Sequence, residues 1–318
     1  MGKRFVELLK TRLPDVHVVT VNRGNVYWSW SECGGIVCDR NNRIEYRNRI
    51  SEILNRYEWI GAIDFCAFKP KDVSHSLPPA IFNGYLFPIY ILISTDSVYE
   101  VMDLENATCV DESFETPSFP SRDRYGFNKL MTETTARELS SSNQYFLSLR
   151  LPDVIGPFDD TYRLWSYVHW LKSGIPVFVP RDNTPLAFVY SEDVVEFCLG
   201  IFQRAPKKDS GYAAVNLLCE EQITLHDFLQ LVAHSLNFNC DDFSSQGTIP
   251  QTYYPSVEYR KVPLSRARAQ KLGFRSTPLS EAIRTTLAWL EAAQSLHKRE
   301  YNEMIMDLPN FIARQLSE

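Results

Sequence analysis

The chain has 318 residues, and its hydrophobic fraction of 44% and charged fraction of 23% are ordinary for a globular protein, which excludes general disorder and fibrous repeats. The net charge of −6 at pH 7 excludes the basic surface by which a dedicated DNA-binding protein neutralises phosphates, whereas a local contact with RNA is compatible with it. Seven scattered cysteines without a CxxC pair argue against a disulfide framework and against a structural zinc site, so we expect no bound metal.

In the first half of the chain, helical and extended patterns alternate. The predicted elements are, in chain order, a helix over 2–10, strands over 16–21 and 35–38, a helix over 49–56, and strands over 59–68 and 90–93. The last two strands are nearly continuous apolar runs, which is typical of parallel strands that are covered on both faces. We therefore expect them at the centre of a sheet.

The second half continues this alternation around a proline-rich interruption. Its predicted elements are a helix over 125–139, strands over 145–150 and 187–190, a helix over 193–202, a helix that Thr224 caps and that runs through Leu236, and a helix over 279–290. Alternation of this kind predicts an α/β fold with a doubly wound parallel sheet. We expect a nucleotide-binding domain over 1–156 that returns at about 186–236, and a smaller interleaved substrate lobe formed by 157–185 and 237–318.

Polar residues at the ends of two predicted elements indicate a site. Thr95 follows the strand over 90–93, and ligands of parallel sheets bind beyond the carboxyl ends of the strands. Tyr125 and Lys129 are four apart at the start of the next helix and share one helix face. An ammonium near a tyrosine lowers its pKa, and a threonine hydroxyl can bind the same substrate oxygen, which predicts alcohol/carbonyl interconversion with hydride transfer to or from a nicotinamide. Taken alone, a Tyr-x-x-x-Lys pair is more often an exposed helix face than a catalytic pair.

The surroundings of these residues carry several motifs in order along the chain. They are Ile-Ser-Thr-Asp-Ser-Val-Tyr over 93–99, Tyr-Gly-Phe-Asn-Lys over 125–129, Leu-Arg-Leu-Pro-Asp-Val-Ile-Gly-Pro over 149–157, Phe-Val-Tyr-Ser-Glu-Asp-Val over 188–194 and Ala-Arg-Ala-Gln-Lys-Leu-Gly-Phe over 267–274. Through these motifs nearly the whole chain resembles the extended short-chain dehydrogenase/reductase family, which is also called the NAD-dependent epimerase/dehydratase family.

This resemblance implies a Rossmann-like fold, a nucleotide sugar or similar hydroxyl-bearing substrate, and a homodimer formed through the helix of Tyr125 and Lys129. It makes Tyr125 the acid/base, Lys129 the residue that lowers the pKa of that tyrosine, and Thr95 the hydroxyl partner. Tyr125 and Lys129 are also expected to contact the cofactor. The resemblance further places the backbone near Pro152 close to the nicotinamide and Ala67 in the cofactor site.

The start of the chain departs from the family pattern. The family begins with a strand and a Gly-x-x-Gly-x-x-Gly turn, which brings backbone amides to the cofactor pyrophosphate at a helix N-terminus. Gly2 is placed like the third glycine of that turn, so we expect the first strand and the glycine loop to be missing and the neighbouring strand edges to be unpaired. The sequence thus predicts either a truncated form with weakened cofactor affinity or a relative that has lost cofactor binding.

The cofactor preference is predicted from the end of the strand over 16–21. An acidic residue at this place binds the ribose of NAD, whereas an arginine accommodates the phosphate of NADP. Asn22 and Arg23 stand here, which favours NADP over NAD, although Arg23 is equally well explained as a solvated turn residue. Asp39 and Arg40 close the next strand and are placed like the adenine-contacting pair of the family.

Three further features leave alternatives open. Ser97 replaces the glutamate of the dehydratase motif, so the dehydratase acid/base set is incomplete. His169 and Arg163 fall in the expected substrate lobe and could meet a diphosphate, but a histidine among tryptophans is more often packed or exposed. The stretch over 64–68 and the turn over 22–24 resemble the branch that includes chloroplast stem-loop RNA-binding proteins. A noncatalytic or RNA-associated protein is therefore the alternative function, and an inactive truncated isoform is a further alternative.

The sequence shows neither a secretory signal nor a membrane segment. Its first residues lack the basic-then-apolar profile of a signal peptide. No window approaches the roughly 18 consecutive apolar residues that a membrane span needs. We therefore expect a cytoplasmic protein without a membrane partner.

Overall fold

Helices and strands alternate along the chain. This computed structural model describes residues 1–24, 35–82, 87–104, 107–114, 124–140, 144–159, 163–172, 177–179, 184–204, 211–238, 243–244 and 262–296. In chain order the elements are α1 (Gly2–Arg12), β1 (Thr20–Asn22), β2 (Gly35–Val37), α2 (Arg43–Leu54), β3 (Ala62–Asp64), α3 (Pro70–Phe82), β4 (Ile89–Thr95), α4 (Arg124–Leu139), β5 (Tyr145–Leu151), β6 (Asp153–Ile155), α5 (Arg163–Lys172), β7 (Val177–Phe178), β8 (Phe188–Tyr190), α6 (Ser191–Arg204), β9 (Gly211–Asn216), α7 (Leu225–Ser235), β10 (Phe243–Ser244), α8 (Ala267–Lys271) and α9 (Leu279–Leu296). Parts of the expected substrate lobe, including 245–261 and 297–318, lie outside the described residues.

The strands form parallel sheets. β3, β4, β5 and β9 make a four-stranded sheet in that order, while β1 pairs with β2, β6 with β8 and β10 with β7. Helices lie in the connections between neighbouring strands of the four-stranded sheet, as parallel pairing requires. The predicted α/β class with a parallel sheet is therefore confirmed.

β4 is covered on both faces, and its two faces bury different layers. Ile89, Ile91 and Ile93 pack in a cluster with residues of α1 and α6. Tyr90 and Leu92 point the other way and pack in a cluster with residues of α3 and α4. Because side chains alternate along a strand, an apolar run of this kind must be covered on both sides. The sheet is thus doubly wound, and polar residues begin only at the carboxyl end of β4.

A break separates β1 and β2 from the four-stranded sheet. Within the described part of the chain, no backbone pairing joins the two sheets, which agrees with the expectation that neighbouring strand edges are unpaired. Arg40, shortly after β2, instead forms two hydrogen bonds of 3.0 Å with Asp64 at the end of β3. Side chains therefore connect the two sheets at this point.

Several predicted elements have different bounds in the structure. The strands predicted over 16–21 and 59–68 are only the short β1 and β3, three residues each. The helix predicted over 49–56 already begins at Arg43. The side chain of Asn42 accepts a hydrogen bond from the Glu45 amide and so caps α2 earlier than its apolar spacing indicates.

Three helices, α3, α5 and α8, are not predicted from the sequence. α3 contains Pro70 at its first position, where the missing N–H is tolerated, and also Pro78 and Pro79, which hide the helical pattern. Asp72 supports its start, because the carboxylate accepts hydrogen bonds from two preceding backbone amides at 2.9 and 3.0 Å. None of the helices that the structure describes is long and apolar enough to cross a membrane.

Thr224 caps α7, as the sequence predicts. Its hydroxyl oxygen accepts a hydrogen bond of 3.1 Å from the Asp227 amide. We expect Thr224→Ala to lower the free energy of unfolding by about 1 kcal/mol, which urea denaturation measures. Thr11→Ala in α1 is the matched control, because its exposed hydroxyl only donates to the Glu7 carbonyl within the helix. Equal losses in the two variants would contradict a capping role for Thr224.

Candidate active site

Tyr125 and Lys129 lie one turn apart on α4 but in different surroundings. Tyr125 is the second residue of the helix, and its exposure of 45% leaves the ring accessible to a ligand. Lys129 is only 3% exposed. Residues four apart are neighbours on a helix surface, so an accessible phenol stands beside a buried ammonium.

The ammonium of Lys129 is held between the ends of two strands. Its Nζ donates to the carbonyl oxygen of Ile93 in β4 at 2.7 Å and to that of Ala67, shortly after β3, at 2.9 Å. Burial lowers the pKa of Lys129, whereas the carboxylates of Asp64 and Glu133 act in the opposite direction. An ammonium has three N–H donors, and two of them are used by carbonyl groups in the part of the chain that the structure describes.

Thr95 ends β4 and begins the next turn. Its side chain is 8% exposed, and Oγ1 accepts a hydrogen bond of 3.2 Å from the Ser97 amide, which caps a short 3-10 helix over Asp96–Val101. A hydroxyl that accepts one hydrogen bond can still donate its own proton. Thr95 therefore has a fixed position and can donate to a substrate oxygen.

The residues that are predicted to lie near the nicotinamide of the cofactor are placed along one edge of the sheet. Thr95 stands opposite Leu151 in the ladder of β4 and β5, and Pro152 directly follows Leu151. The Ala67 carbonyl and the end of β4 are both bonded to Lys129. The structure thus brings the residues predicted from the sequence to the carboxyl edge of the parallel sheet.

Gly2 begins α1, whose N-terminus lies near the same edge. A Cβ atom added to Gly2 would lie 3.5 Å from the ring of Phe65, which directly follows β3. α1 has no acidic residue in its first turn and no side-chain cap. Amides at the start of a helix bind phosphate well, and the contact of Gly2 with a cofactor pyrophosphate stays a prediction.

Asn22 and Arg23 lie at the end of β1, where they were predicted to select the cofactor. The Asn22 carboxamide accepts a hydrogen bond of 2.8 Å from the Gly24 amide, and Gly24 adopts a positive φ of 80°. Asn22 therefore shapes the turn. Arg23 is exposed, which is the condition for contact with a cofactor phosphate.

Asp39 and Arg40 have different hydrogen-bond partners in the structure, and their contact with adenine stays a prediction. Asp39 is exposed and its carboxylate accepts a hydrogen bond from the Asn41 amide, which lowers the pKa of Asp39. Burial acts to lower the pKa of Arg40, but the Asp64 carboxylate outweighs it and the pKa is raised. Tyr90 also donates to Asp64 at 3.2 Å. A nucleotide that uses Arg40 has to compete with Asp64.

Two charged residues behind the site are missed by the sequence prediction. Glu133 and Arg150 are each 1% exposed, and Arg150 Nη2 donates to Glu133 Oε2 at 2.8 Å. Two signals in the sequence point to this pair. Glu133 lies four residues after Lys129 and so shares its helix face, and Arg150 interrupts an apolar strand.

The other predicted residues, Arg163 and His169, lie on α5. Arg163, at the start of α5, pairs with Asp153 at 3.0 Å, and His169 lies edge-on to the ring of Trp165. Burial lowers the pKa of His169, as expected for a packed histidine. No group of three histidine, cysteine or acidic side chains within the described ranges is arranged to hold a metal ion.

The doubly wound parallel sheet, with the candidate residues at its carboxyl edge, has the architecture of Rossmann-like folds. A family model, the NAD dependent epimerase/dehydratase family, matches residues 86–216. This segment contains Thr95, Tyr125 and Lys129. This segment is similar to that family, and the resemblance to extended short-chain dehydrogenases/reductases is confirmed.

Solved structures share this fold. WbmH of Bordetella bronchiseptica in complex with NAD+ is 15% identical with a TM-score of 0.70, over 91% of this chain and 94% of that chain. The UDP-glucose 4-epimerase of Thermotoga maritima with UDP-glucose is 16% identical with a TM-score of 0.72, over 92% and 96% of the two chains. The dTDP-glucose 4,6-dehydratase of Bacillus anthracis with NAD is 12% identical with a TM-score of 0.71, over 93% and 94%. No curated protein matches the chain.

Proposed function

We propose that the chain is a nicotinamide-dependent oxidoreductase of epimerase or reductase type that acts on a nucleotide sugar. The observation that carries this proposal is Lys129, a buried ammonium tied to the ends of β3 and β4 and one helical turn from the accessible Tyr125. Thr95 lies at the end of the same β4. The three side chains are thus arranged for proton transfer at one substrate oxygen.

Each residue has a distinct role in this proposal. The Tyr125 hydroxyl holds or returns the proton of the reacting alcohol. The charge of Lys129 favours the phenolate, and the Thr95 hydroxyl orients the same oxygen. When bound, the nicotinamide supplies the hydride acceptor or donor.

The residues fit a dinucleotide at two places. Lys129, Ala67 and Pro152 would hold the nicotinamide end, and the N-terminus of α1 at Gly2 would hold the pyrophosphate. NAD is the favoured cofactor, because two of the similar structures contain it. A preference for NADP through Arg23 stays a prediction, and so does a homodimer formed through α4.

The nucleotide-sugar class is supported by the similar epimerase, whose structure contains UDP-glucose. An epimerase or reductase is favoured over a dehydratase, because Ser97 stands in place of the acid and its amide binds Thr95.

Calorimetry with NAD+ and NADP+, followed by turnover assays on a panel of UDP- and dTDP-sugars, tests this proposal. We expect saturable binding of one cofactor, and conversion of at least one sugar detected by chromatography or by the absorbance of reduced nicotinamide. Binding of neither cofactor together with no conversion across the panel would disprove it. Salt-sensitive binding of structured RNA in the same preparation would instead favour the RNA-associated alternative.

A further inference from the structure

Glu133 is a buried carboxylate that the proposed reaction does not use. It lies on α4, one turn after Lys129, and it accepts hydrogen bonds from three strands of the sheet. Ser94 Oγ of β4 donates to Oε1, Arg150 Nη2 of β5 donates to Oε2 at 2.8 Å, and Tyr212 of β9 donates to Oε2 at 3.1 Å. One side chain thus connects α4 to β4, β5 and β9.

Two successive residues of β4 are bound by this face of α4. The Ile93 carbonyl accepts from Lys129, and the Ser94 hydroxyl donates to Glu133. Thr95 is the next residue of the strand. Because Lys129 and Glu133 are one helical turn apart, the two contacts fix both the distance and the angle between the end of β4 and the helix. The position of Thr95 relative to Lys129 depends on both.

The ion pair of Glu133 and Arg150 is bonded to further buried groups on the side away from the site. Arg150 Nη1 donates to the Tyr99 hydroxyl at 3.0 Å, and Tyr99 donates to Asn216 at 2.8 Å. These groups satisfy the second side of the Arg150 guanidinium. Glu133 is therefore held from behind and cannot follow a displacement of Lys129 or Ser94 without breaking several buried hydrogen bonds.

Charge gives Glu133 a second effect on Lys129. Burial lowers the pKa of the lysine, and four groups on three different segments oppose this: Asp64 of β3, Glu133 of α4, Cys66 after β3 and Asp72 of α3. The ring of Phe68, 5.3 Å from Nζ, also favours the cation. Only a protonated Lys129 lowers the pKa of a neighbouring phenol.

We propose that Glu133 is a positioning residue of the site, which holds the end of β4 and the helix of Tyr125 and Lys129 in register and keeps Lys129 charged. This inference rests on the proposed function for its effect on turnover. Its effect on Lys129 itself does not, because it is measurable in the absence of any substrate.

Two buried serines provide a matched test. Ser94→Ala removes the hydroxyl that β4 donates to Glu133. Ser148→Ala removes a hydroxyl of the same size from the adjacent β5, where Ser148 is fully buried and its Oγ has no hydrogen-bond partner in the described part of the chain. We expect Ser94→Ala to lower kcat about tenfold with little change in KM, because small displacements of catalytic groups are costly. Ser148→Ala should leave kcat unchanged.

The titration of Lys129 provides the readout that does not need turnover. Lysine labelled with ¹³C at Cε reports its pKa by NMR, and Lys129→Met assigns the signal. We expect Glu133→Gln to lower the pKa of Lys129 further, since the opposing carboxylate is removed. As the pH is raised, turnover of this variant would then begin to decline at a lower pH than turnover of the wild type. Glu196→Gln, which removes an exposed carboxylate of α6, is the control and should not shift the signal.

The outcomes separate the inference from the proposed function. An unchanged Lys129 signal in both Ser94→Ala and Glu133→Gln, with kcat equal in the two serine variants, would overturn the positioning role. If the wild type turns over no sugar, the proposed function fails while the Lys129 titration still decides this inference. Should Glu133→Gln fail to fold, the titration in Ser94→Ala against Ser148→Ala decides it, and equal signals would overturn it.

Discussion

Tyr125→Phe should lower kcat by about 10²- to 10⁴-fold, the usual contribution of a general acid/base, while the affinity for the cofactor changes little. The variant removes only a hydroxyl from a residue that is 45% exposed, so we expect little change in the free energy of unfolding. The loss is expected in kcat because the proton moves only in the transition state. Steady-state kinetics on the sugar found in the panel, with calorimetry of the cofactor, measure both quantities.

Tyr57→Phe is the matched control for this variant. Tyr57 is 38% exposed and stacks on His17 outside the site, so the same hydroxyl deletion there should leave kcat unchanged. If Tyr125→Phe and Tyr57→Phe turn over equally fast, Tyr125 is not the acid/base. A loss in both variants would indicate a general effect on folding instead.

Arg150→Met should lower the free energy of unfolding by about 3–5 kcal/mol, as is typical when one partner of a buried ion pair is removed. The change leaves the Glu133 carboxylate buried without its cation, although Ser94 and Tyr212 still donate to it. It also removes a donor from the Tyr99 hydroxyl. Urea denaturation at neutral pH measures the loss.

Arg12→Met serves as the comparison, because Arg12 forms an exposed ion pair with Glu196 at 3.2 Å. Exposed pairs of this kind contribute about 0–1 kcal/mol. The double variant Glu133→Leu/Arg150→Met should recover part of the lost stability, since no uncompensated charge is then buried. Similar losses for Arg150→Met and Arg12→Met would show that the buried pair contributes no more than a surface pair.

The sequence predicts those features of the fold that depend on local pattern. The apolar run over 90–93 identifies β4, because burial on both faces leaves no alternation. Thr224 is recognisable as a cap since its partner amide lies only three residues away. Periodicity predicts both the end of the strand before Thr95 and the start of the helix with Tyr125 and Lys129. The family motifs then indicate that these three residues form one site.

The remaining features depend on contacts between distant segments. Arg40 and Asp64 are 24 residues apart, and no pattern in the sequence indicates that they are in contact. Glu133 and Arg150 are 17 residues apart, and only the packing of α4 on β5 brings them together. The prediction of Asp39 and Arg40 as a pair therefore could not include the competing carboxylate of Asp64.

The break between the two sheets has a consequence for local stability. β1 and β2 form a single ladder, whereas β4 is paired on both sides, so β1 and β2 should open at a lower free energy than the centre of the molecule. Asn22, Arg23, Asp39 and Arg40 all lie at the ends of these two strands. The cost of ordering β1 and β2 would then reduce the free energy of binding that contacts with adenine provide. Bound cofactor would accordingly protect β1 and β2 from proteolysis more than it protects β4.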